Sequence, residues 1–282
     1  MPPEVCGRVR GGQGNAGALT TWAPGTIISL RTGLQDRTDL LCVLMNSHQL
    51  AGHRGVALIT GASGGIGGAI ATELGDSHHL LLGGRDQGAL TTLASSLPTA
   101  APWLLELTDF DAMARAVAGI QRLDVLVHSA GVWEPGLISE TRLDTWRQVF
   151  DVNLFAIAEL TRLLLPALRA AQGHVVIINS TAGRRVSPAR GAYAASKFAL
   201  GAFGDALRAE EAEHGVAVTS IYPGRVATAM QRKVRQAENG EFVPGEYISP
   251  QAVAHAVRAA IEAPPDAELT EIVVSASPAA GR

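Results

Sequence analysis

The 282-residue sequence predicts an α/β protein organised as a single domain around a doubly wound parallel sheet of about seven strands. Short apolar runs rich in β-branched residues recur from Val56 onward. They lack the strict alternation of one-sided strands, which indicates strands buried on both faces. Stretches with helical periodicity separate these runs. Alternation of this kind implies parallel strands joined by right-handed crossovers.

The elements follow one another regularly along the chain. The segments predicted as strands are Val56–Thr60, His79–Leu82, Trp103–Leu107, Val125–Ser129, Val175–Asn179, Val216–Tyr222 and Glu271–Ser275. The segments predicted as helices are Ile66–Leu74, Asp86–Leu97, Asp109–Arg122, Arg142–Ala171, Ala192–His214 and Pro250–Glu262.

Residues 1–44 differ in composition from the rest, being rich in Gly, Thr and Arg with no sustained period. They are predicted to form an irregular N-terminal extension to a single folded domain over residues 45–282. Two explanations stay open: the native chain starts at Met45, or the segment is an ordinary flexible extension. The tail after Pro278 is expected to be loose.

Composition excludes several classes of protein. Hydrophobic residues make up 47% of the chain and charged residues only 17%, which argues against disorder. The net charge of −3 argues against a broad basic surface for nucleic acid. The two cysteines, Cys6 and Cys42, cannot build a disulfide framework, and no grouping has metal-ligand spacing, so no metal is expected. No apolar run approaches the roughly 18 residues of a membrane span. The composition is typical of a soluble cytoplasmic protein.

A glycine-rich turn from Thr60 to Gly67 follows the first predicted strand and opens the first helix. Glycines permit a tight turn and let the backbone approach a pyrophosphate, while the helix N-terminus presents free N–H groups to it. The alternative is a plain strand-to-helix turn. The turn residues predicted to contact a nucleotide are Gly61, Ser63, Gly64, Gly65, Ile66 and Gly67.

The end of the second strand bears on which nucleotide is bound. Gly84 stands where an acidic residue would bind the ribose hydroxyls of NAD, and Arg85 comes next. The guanidinium fork of arginine suits a 2′-phosphate, so NADP(H) is favoured as cofactor over NAD(H). The alternatives are that Arg85 only caps a loop, or that the nearby Asp86 supplies the acid.

Tyr193 and Lys197 are spaced i and i+4 and therefore share one face of a predicted helix. An ammonium group there is expected to stabilise phenolate and lower the tyrosine pKa from about 10. A tyrosine adjusted in this way can exchange a proton near neutral pH. A surface pair without a role is the alternative, but lysine is scarce in this chain, since only Lys197 and Lys233 occur.

Over about Val56–Ala276 these motifs resemble those of the short-chain dehydrogenase/reductase family. The matching motifs, in family order, are T-G-x-x-x-G-I-G at Thr60–Gly67, the helix asparagine at Asn153, the serine at Ser180, Y-x-x-x-K at Tyr193 and Lys197, and P-G-x-V-x-T at Pro223–Thr228. The resemblance implies a Rossmann-type fold. It also implies further cofactor contacts from Leu107, Ser129, Ala130, Gly131, Pro223, Gly224, Val226 and Thr228, with Tyr193 and Lys197 touching the cofactor as well.

Two positions depart from the family pattern. His128 replaces the first asparagine of the family's N-N-A-G, a change that is expected to affect support of the strand more than catalysis. Near the end of the third strand, the family's acidic residue is represented by Glu106. Neither departure falls on the predicted proton-transfer residues.

The resemblance implies an oxidoreductase that reduces a ketone or aldehyde to an alcohol with NADP(H), or performs the reverse reaction. Tyr193 would supply the proton, Ser180 would stabilise the developing charge, Lys197 would hold the ribose, and Asn153 would hold a water that links Lys197 to solvent. Each of Ser180 and Asn153 also has a purely structural reading.

Two alternative functions stay open. One is reduction of a 3-oxoacyl thioester, because a basic segment from Arg225 to Arg235 could meet its anionic tail; a solvated helix face is the plainer reading of that segment. The other is a non-catalytic NADP(H) sensor on the same fold. Met230, Trp133 and Val243 line an apolar pocket or belong to the core. The family's pairing of the long helices implies a homodimer or homotetramer.

Overall fold

Seven parallel strands form one sheet in the order β3-β2-β1-β4-β5-β6-β7 in the computed structural model, which describes residues 55–277. The strands are β1 Gly55–Thr60, β2 His78–Gly84, β3 Ala100–Leu104, β4 Val125–His128, β5 His174–Ile178, β6 Ala217–Pro223 and β7 Glu271–Val274. The chain order reverses between β1 and β4, so a crevice opens beyond the carboxyl ends of these two strands. The predicted doubly wound parallel sheet is confirmed. The predicted extension over residues 1–44 and the tail after Pro278 lie outside the described residues.

Helices cover both faces of the sheet. They are α1 Gly65–Leu74, α2 Gln87–Ser95, α3 Phe110–Val117, α4 Leu143–Phe150, α5 Ala156–Ala171, α6 Gly191–Glu211, α7 Ala229–Ala237 and α8 Pro250–Ile261. A π-helical turn, Asp151–Phe155, joins α4 to α5. In the part of the chain that the structure describes, no helix combines the length and apolarity needed to cross a bilayer.

Two apolar layers form the core, one on each side of the sheet. Leu58 of β1 packs in the layer that includes Met113 of α3 and Leu164 of α5. Its neighbour Ile59 faces the other way, into the layer that includes Ile70 of α1 and Val257 of α8. Successive residues of a strand point to opposite faces, so a strand covered on both sides has to be apolar throughout. This burial explains the continuous apolar runs of the sequence.

Some predicted boundaries were wrong. The third strand was predicted to begin at Trp103, but it begins three residues earlier, at Ala100, and contains Pro102. Proline is tolerated there because β3 lies at the edge of the sheet and pairs only with β2. The predicted helix Arg142–Ala171 is interrupted by the π-helical turn, and helix α7 was read only as a basic segment.

His128, the residue that departs from the family pattern, ties strand β4 to helix α5. Its Nε2 atom lies 2.9 Å from the Thr161 hydroxyl, which itself donates to the Ile157 carbonyl at 2.8 Å. Because a hydroxyl has one hydrogen, Thr161 must accept from His128, and Nε2 therefore carries the proton. Burial, with a smaller contribution from the Lys197 charge, lowers the pKa of His128 to about 3. The side chain supports the strand, as the sequence predicted.

This burial makes folding sensitive to acid. The unfolded chain takes up a proton on His128 below pH 6.5, whereas the folded protein excludes it down to a pKa of about 3. Between these values the free energy of unfolding should fall by about 1.4 kcal/mol for each pH unit on account of this residue. Urea unfolding at about pH 7 and about pH 5 measures how steeply the free energy of unfolding depends on pH. In His128→Asn this dependence should be smaller by the contribution of one proton. An unchanged slope in that variant would contradict the assignment.

Candidate active site

The glycine-rich turn packs directly against the end of strand β4. Gly61 has a φ of +67°, and a Cβ on it would lie 2.8 Å from the Ala130 Cα. A Cβ on Gly67 would overlap the Gly61 carbonyl oxygen. The Thr60 hydroxyl accepts hydrogen bonds from the backbone N–H groups of Ser129 at 3.1 Å and Ala130 at 3.2 Å. Glycine is required at these turn positions because two backbone segments meet there.

A cavity of about 330 Å³, here called the glycine-rich cavity, opens at this point beyond the carboxyl ends of β1, β2 and β4. The predicted cofactor residues that line it are Gly61, Ser63, Gly64, Gly65, Ile66, Gly67, Arg85, Leu107, Ser129, Ala130, Gly131 and Thr228. The Ser129 hydroxyl is buried without a hydrogen-bond partner among the described residues. The backbone-lined wall and the unpartnered hydroxyl fit a dinucleotide.

Several residues of the glycine-rich cavity escaped prediction because they come from separate elements. These are Thr60, Gly83, Gly84, Trp103, Leu105, Glu106, Val132, Val152, Ala229 and Met230. Four of them carry a signal in the sequence: Thr60 begins the glycine-rich turn, Gly84 stands where an acidic residue would bind NAD, Met230 is a pocket candidate and Glu106 departs from the family pattern. The others carry no local signal, because their role depends on which strands and helices become neighbours.

Arg85 lies at the rim of the glycine-rich cavity and is held by Glu106. The Arg85 guanidinium donates to the Glu106 carboxylate at 3.2 Å, and 75% of the Arg85 side chain is exposed. Burial alone would raise the pKa of Glu106, but hydrogen bonds from Thr108 and Arg85 outweigh it and lower that pKa. The guanidinium is therefore oriented by a carboxylate and still open to a ligand.

A second cavity of about 590 Å³, here called the catalytic cavity, contains Ser180 and Tyr193 in its wall. The predicted cofactor residues Pro223, Gly224, Val226 and Thr228 line it as well. Ile66, Thr228 and Met230 line both cavities, which therefore adjoin one another. A ligand extending from the glycine-rich turn would reach the predicted proton-transfer residues.

Ser180 is positioned by the turn that it begins. Its hydroxyl oxygen accepts from the Ala182 N–H at 3.1 Å and so caps the short 3₁₀ turn Thr181–Gly183 after strand β5. The hydroxyl hydrogen stays available to donate. Ser180 is hydrogen-bonded to the Tyr193 phenol, which stands in the first turn of α6. Strand β5 and helix α6 thus bring the two hydroxyl groups together.

Burial raises the pKa of Tyr193, although the residue keeps some exposed surface toward the catalytic cavity. The hydrogen bond from Ser180 and the charge of Arg190 oppose this rise. The expectation that Lys197 depresses the tyrosine pKa does not match this balance, because Ser180 and Arg190 supply the lowering. The phenol stays protonated at neutral pH.

Lys197 lies one helical turn beyond the tyrosine and is almost completely buried. Its Nζ donates to the Ile178 carbonyl at 3.0 Å and lies 5.9 Å from the centre of the Tyr193 ring. Burial lowers its pKa to about 8. A Cβ on Gly131 would come within 3.9 Å of this Nζ, so the ammonium lies just behind the floor of the glycine-rich cavity.

Asn153 stands in the π-helical turn and is fully buried. Its Oδ1 accepts from the Val132 N–H at 2.8 Å, and its Nδ2 donates to the Val132 carbonyl at 2.9 Å and to the Ser196 hydroxyl at 3.1 Å. π-Helical turns often occur at functional sites. Both amide hydrogens are donated within the protein, so the side chain holds the segment after Gly131 in place.

The remaining candidates divide between the cavities and the surface. Trp133, Met230 and Arg225 line the catalytic cavity, whereas Val243 lines neither cavity. Of the basic segment, Arg232, Lys233 and Arg235 lie outside both cavities, as a solvated helix face would. Between residues 55 and 277, no group of three or more His, Cys, Asp or Glu side chains could hold a metal ion.

Comparison with known proteins identifies the family of the chain. A family model described as "short chain dehydrogenase" matches residues 55–239, which is more than half of the chain. The dehydrogenase/reductase SDR family member 7B of Xenopus laevis is 34% identical over 226 residues, covering 74% of this chain and 69% of that protein. The glycine betaine reductase ATRR of Emericella nidulans is 34% identical over 233 residues, covering 78% of this chain, but the chain spans only 18% of that protein's length.

A solved structure shows the same fold with a nucleotide. The putative NAD(P)-dependent gluconate 5-dehydrogenase of Beutenbergia cavernae, with bound NADP at low occupancy, is 32% identical. The TM-score is 0.71, and the match covers 80% of this chain and 96% of that chain.

The fold, the glycine-rich turn and the Ser180–Tyr193–Lys197 arrangement define a nicotinamide-nucleotide oxidoreductase of the Rossmann type. The chain belongs to the short-chain dehydrogenase/reductase family.

Proposed function

We propose that the protein reduces a ketone or aldehyde to an alcohol with NADP(H), or catalyses the reverse reaction, with Tyr193 as the proton donor. One observation carries this proposal. The hydrogen-bonded pair of Ser180 and Tyr193 stands in the wall of a cavity that adjoins the glycine-rich cavity. A protonated phenol and a hydroxyl donor are thus presented where a carbonyl oxygen would become negatively charged.

Each residue has a distinct part in the proposed reaction. When bound, the nicotinamide cofactor supplies or accepts the hydride. Tyr193 gives its proton to the carbonyl oxygen; burial raises the pKa of the phenol, so the proton is present at neutral pH. Ser180 donates a hydrogen bond to the same oxygen as charge develops there. Lys197 places a positive charge beneath the cofactor floor, where it can hold ribose hydroxyls and stabilise the phenolate left behind.

Two other functions fit less well. Reduction of a 3-oxoacyl thioester is favoured only by Arg225, which among the basic residues of the segment from Arg225 to Arg235 is the one that lines the catalytic cavity. A non-catalytic sensor of NADP(H) would not need a serine hydroxyl bonded to a tyrosine in that cavity. The paired hydroxyls therefore favour catalysis.

Replacing the proton donor separates catalysis from binding. Tyr193→Phe should lower the rate of NADPH oxidation with a carbonyl substrate by a factor on the order of 10² to 10⁴, because the phenyl ring retains the shape but has no proton to give. The affinity for NADPH, measured by calorimetry, should be nearly unchanged. Tyr247→Phe is the matched control, because that tyrosine stacks on Phe242 and lines neither cavity. Full activity of Tyr193→Phe would disprove the proposed proton donor.

We propose that NADP(H) is preferred over NAD(H). Arg85 supports this, since its exposed guanidinium stands at the rim of the glycine-rich cavity, while Gly84 leaves no acidic side chain at the end of β2. Glu106 works in the opposite direction, because its carboxylate partly neutralises Arg85 and would repel a 2′-phosphate.

Two variants test the opposing effects of Arg85 and Glu106 on cofactor preference. Arg85→Gln should lower the ratio of kcat/KM for NADPH to that for NADH by about tenfold, the effect of losing a hydrogen bond to a charged group. Glu106→Gln should raise the same ratio, because it releases Arg85 and removes the repulsion. Steady-state kinetics with both cofactors measures the ratio. Equal ratios in the wild type and Arg85→Gln would refute this role of Arg85.

We further propose that the protein is a cytoplasmic homodimer or homotetramer. Three large apolar side chains on the long helical segments support self-association: Leu143 is 62% exposed, Phe155 50% and Phe198 45%. The segments that carry them, helix α4, the π-helical turn and helix α6, contact one another, and large apolar patches on a protein surface favour an interface.

Sedimentation velocity tests the assembly. The wild-type protein should sediment as a dimer or tetramer, and Phe198→Asp should shift it toward the monomer because a charge would be buried in the interface. A monomeric wild-type protein at micromolar concentration would exclude the proposed assembly.

A further inference from the structure

We infer that the substrate carries an anionic group, a carboxylate or a phosphate, which binds to an arginine-rich wall of the catalytic cavity with Arg185 as its principal partner. This inference rests on the proposed function, because it concerns the substrate of the same site. The arginine-rich wall consists of Arg184, Arg185, Arg190 and Arg225.

The lining of the catalytic cavity is strongly biased in charge. Four arginines line it, and no aspartate or glutamate does among the residues that the structure describes. None of the four lines the glycine-rich cavity, where the basic residue is Arg85. The positive charge of the arginine-rich wall therefore belongs to the substrate side of the site and is separate from the pyrophosphate-binding turn.

Carboxylates behind the arginine-rich wall neutralise only part of this charge. Arg190 and Arg225 both donate to Glu238 at 2.6 Å, and Arg235 donates to the same carboxylate at 2.8 Å. Together these guanidinium groups hold the pKa of Glu238 well below its usual range, at about 2, although burial would raise it. Arg190 and Arg225, which line the catalytic cavity, share this single carboxylate with each other and with Arg235, so positive charge remains at the cavity.

Arg184 and Arg185 differ in their partners. Arg184 forms an ion pair with Glu271 and lies over the Tyr222 ring, with its Cζ 3.9 Å from the ring centre. The Arg185 guanidinium has no hydrogen-bond or ion-pair partner among residues 55–277. A guanidinium presents a fork of donors that matches a carboxylate or phosphate. Arg185 is thus the arginine that is free to bind a ligand.

The arginine-rich wall is fixed relative to the reacting hydroxyls. Arg184 and Arg185 follow directly on the 3₁₀ turn that Ser180 caps, and the Arg185 N–H donates to the Thr181 carbonyl at 3.0 Å. Arg190 stands just before helix α6, which carries Tyr193, and its charge already lowers the pKa of that tyrosine. The separation between this wall and the Ser180 and Tyr193 hydroxyls is therefore fixed. A substrate bound by its anionic group would need its carbonyl at a matching distance from that group.

The test compares substrates that differ only in charge. The probes are 4-oxopentanoate with its methyl ester, and dihydroxyacetone phosphate with dihydroxyacetone, each assayed by NADPH oxidation. The wild-type protein should favour at least one anion over its neutral partner by about tenfold or more in kcat/KM, the effect of one charge-assisted hydrogen-bonded pair. The two pairs of probes distinguish a carboxylate from a phosphate.

Variants assign the preference to the arginine. Arg185→Gln should abolish most of the preference by raising KM for the anion, with kcat and the kinetics of the neutral ketone little changed. Arg115→Gln is the matched control, because Arg115 is an exposed arginine on α3 that lines neither cavity. Added salt should weaken the preference in the wild type more than in Arg185→Gln.

The outcomes separate this inference from the proposed function. Reduction of neutral ketones with no preference for either anion would overturn the inference and leave the proposed function standing. If no carbonyl is reduced, the proposed function fails. Calorimetry with the same two anions then tests whether the arginine-rich wall binds an anion. Binding to the wild type but not to Arg185→Gln would support an anion site, and absence of binding would overturn it.

Discussion

The close contact between the glycine-rich turn and the end of strand β4 governs the rest of the site. The Thr60 hydroxyl accepts from two successive backbone N–H groups of the segment after β4, and Gly61 leaves no room for a side chain against Ala130. This contact occurs where the strand order reverses, which is where an open parallel sheet leaves a crevice. The N-terminus of helix α1 and the backbone floor of the glycine-rich cavity are held together by it.

Behind that floor, burial sets the protonation states of the two groups on helix α6. Burial disfavours charge, so the pKa of Tyr193 rises while that of Lys197 falls to about 8. The two pKa values move in opposite directions, and the ammonium lies 5.9 Å from the centre of the Tyr193 ring. In the proposed reduction, the protonated phenol supplies the proton for the carbonyl oxygen. The Ser180 hydrogen bond would stabilise the charge that appears when the proton leaves.

Charge is distributed differently in the two adjoining cavities. The glycine-rich cavity offers backbone and a single arginine paired with Glu106, whereas the catalytic cavity is bordered by four arginines and by carboxylates that face them from behind. Glu238 joins the end of α7 to the residue that precedes α6. It therefore holds one side of the catalytic cavity together while leaving positive charge on its surface. The two cavities therefore present different electrostatic environments.

The sequence by itself determined the fold class, the glycine-rich turn and the Tyr193–Lys197 pair, because each depends on short-range chemistry: apolar periodicity, backbone freedom and helical spacing. It could not place Trp103, Val152 or Arg184 at the site, since these come from strands and helices that are distant in the chain and carry no local pattern. It also misjudged the tyrosine pKa, because desolvation depends on what packs around a group. The arginine-rich wall exists only because folding brings residues 184–190 against Arg225 and Glu238, and only the tertiary structure could decide that.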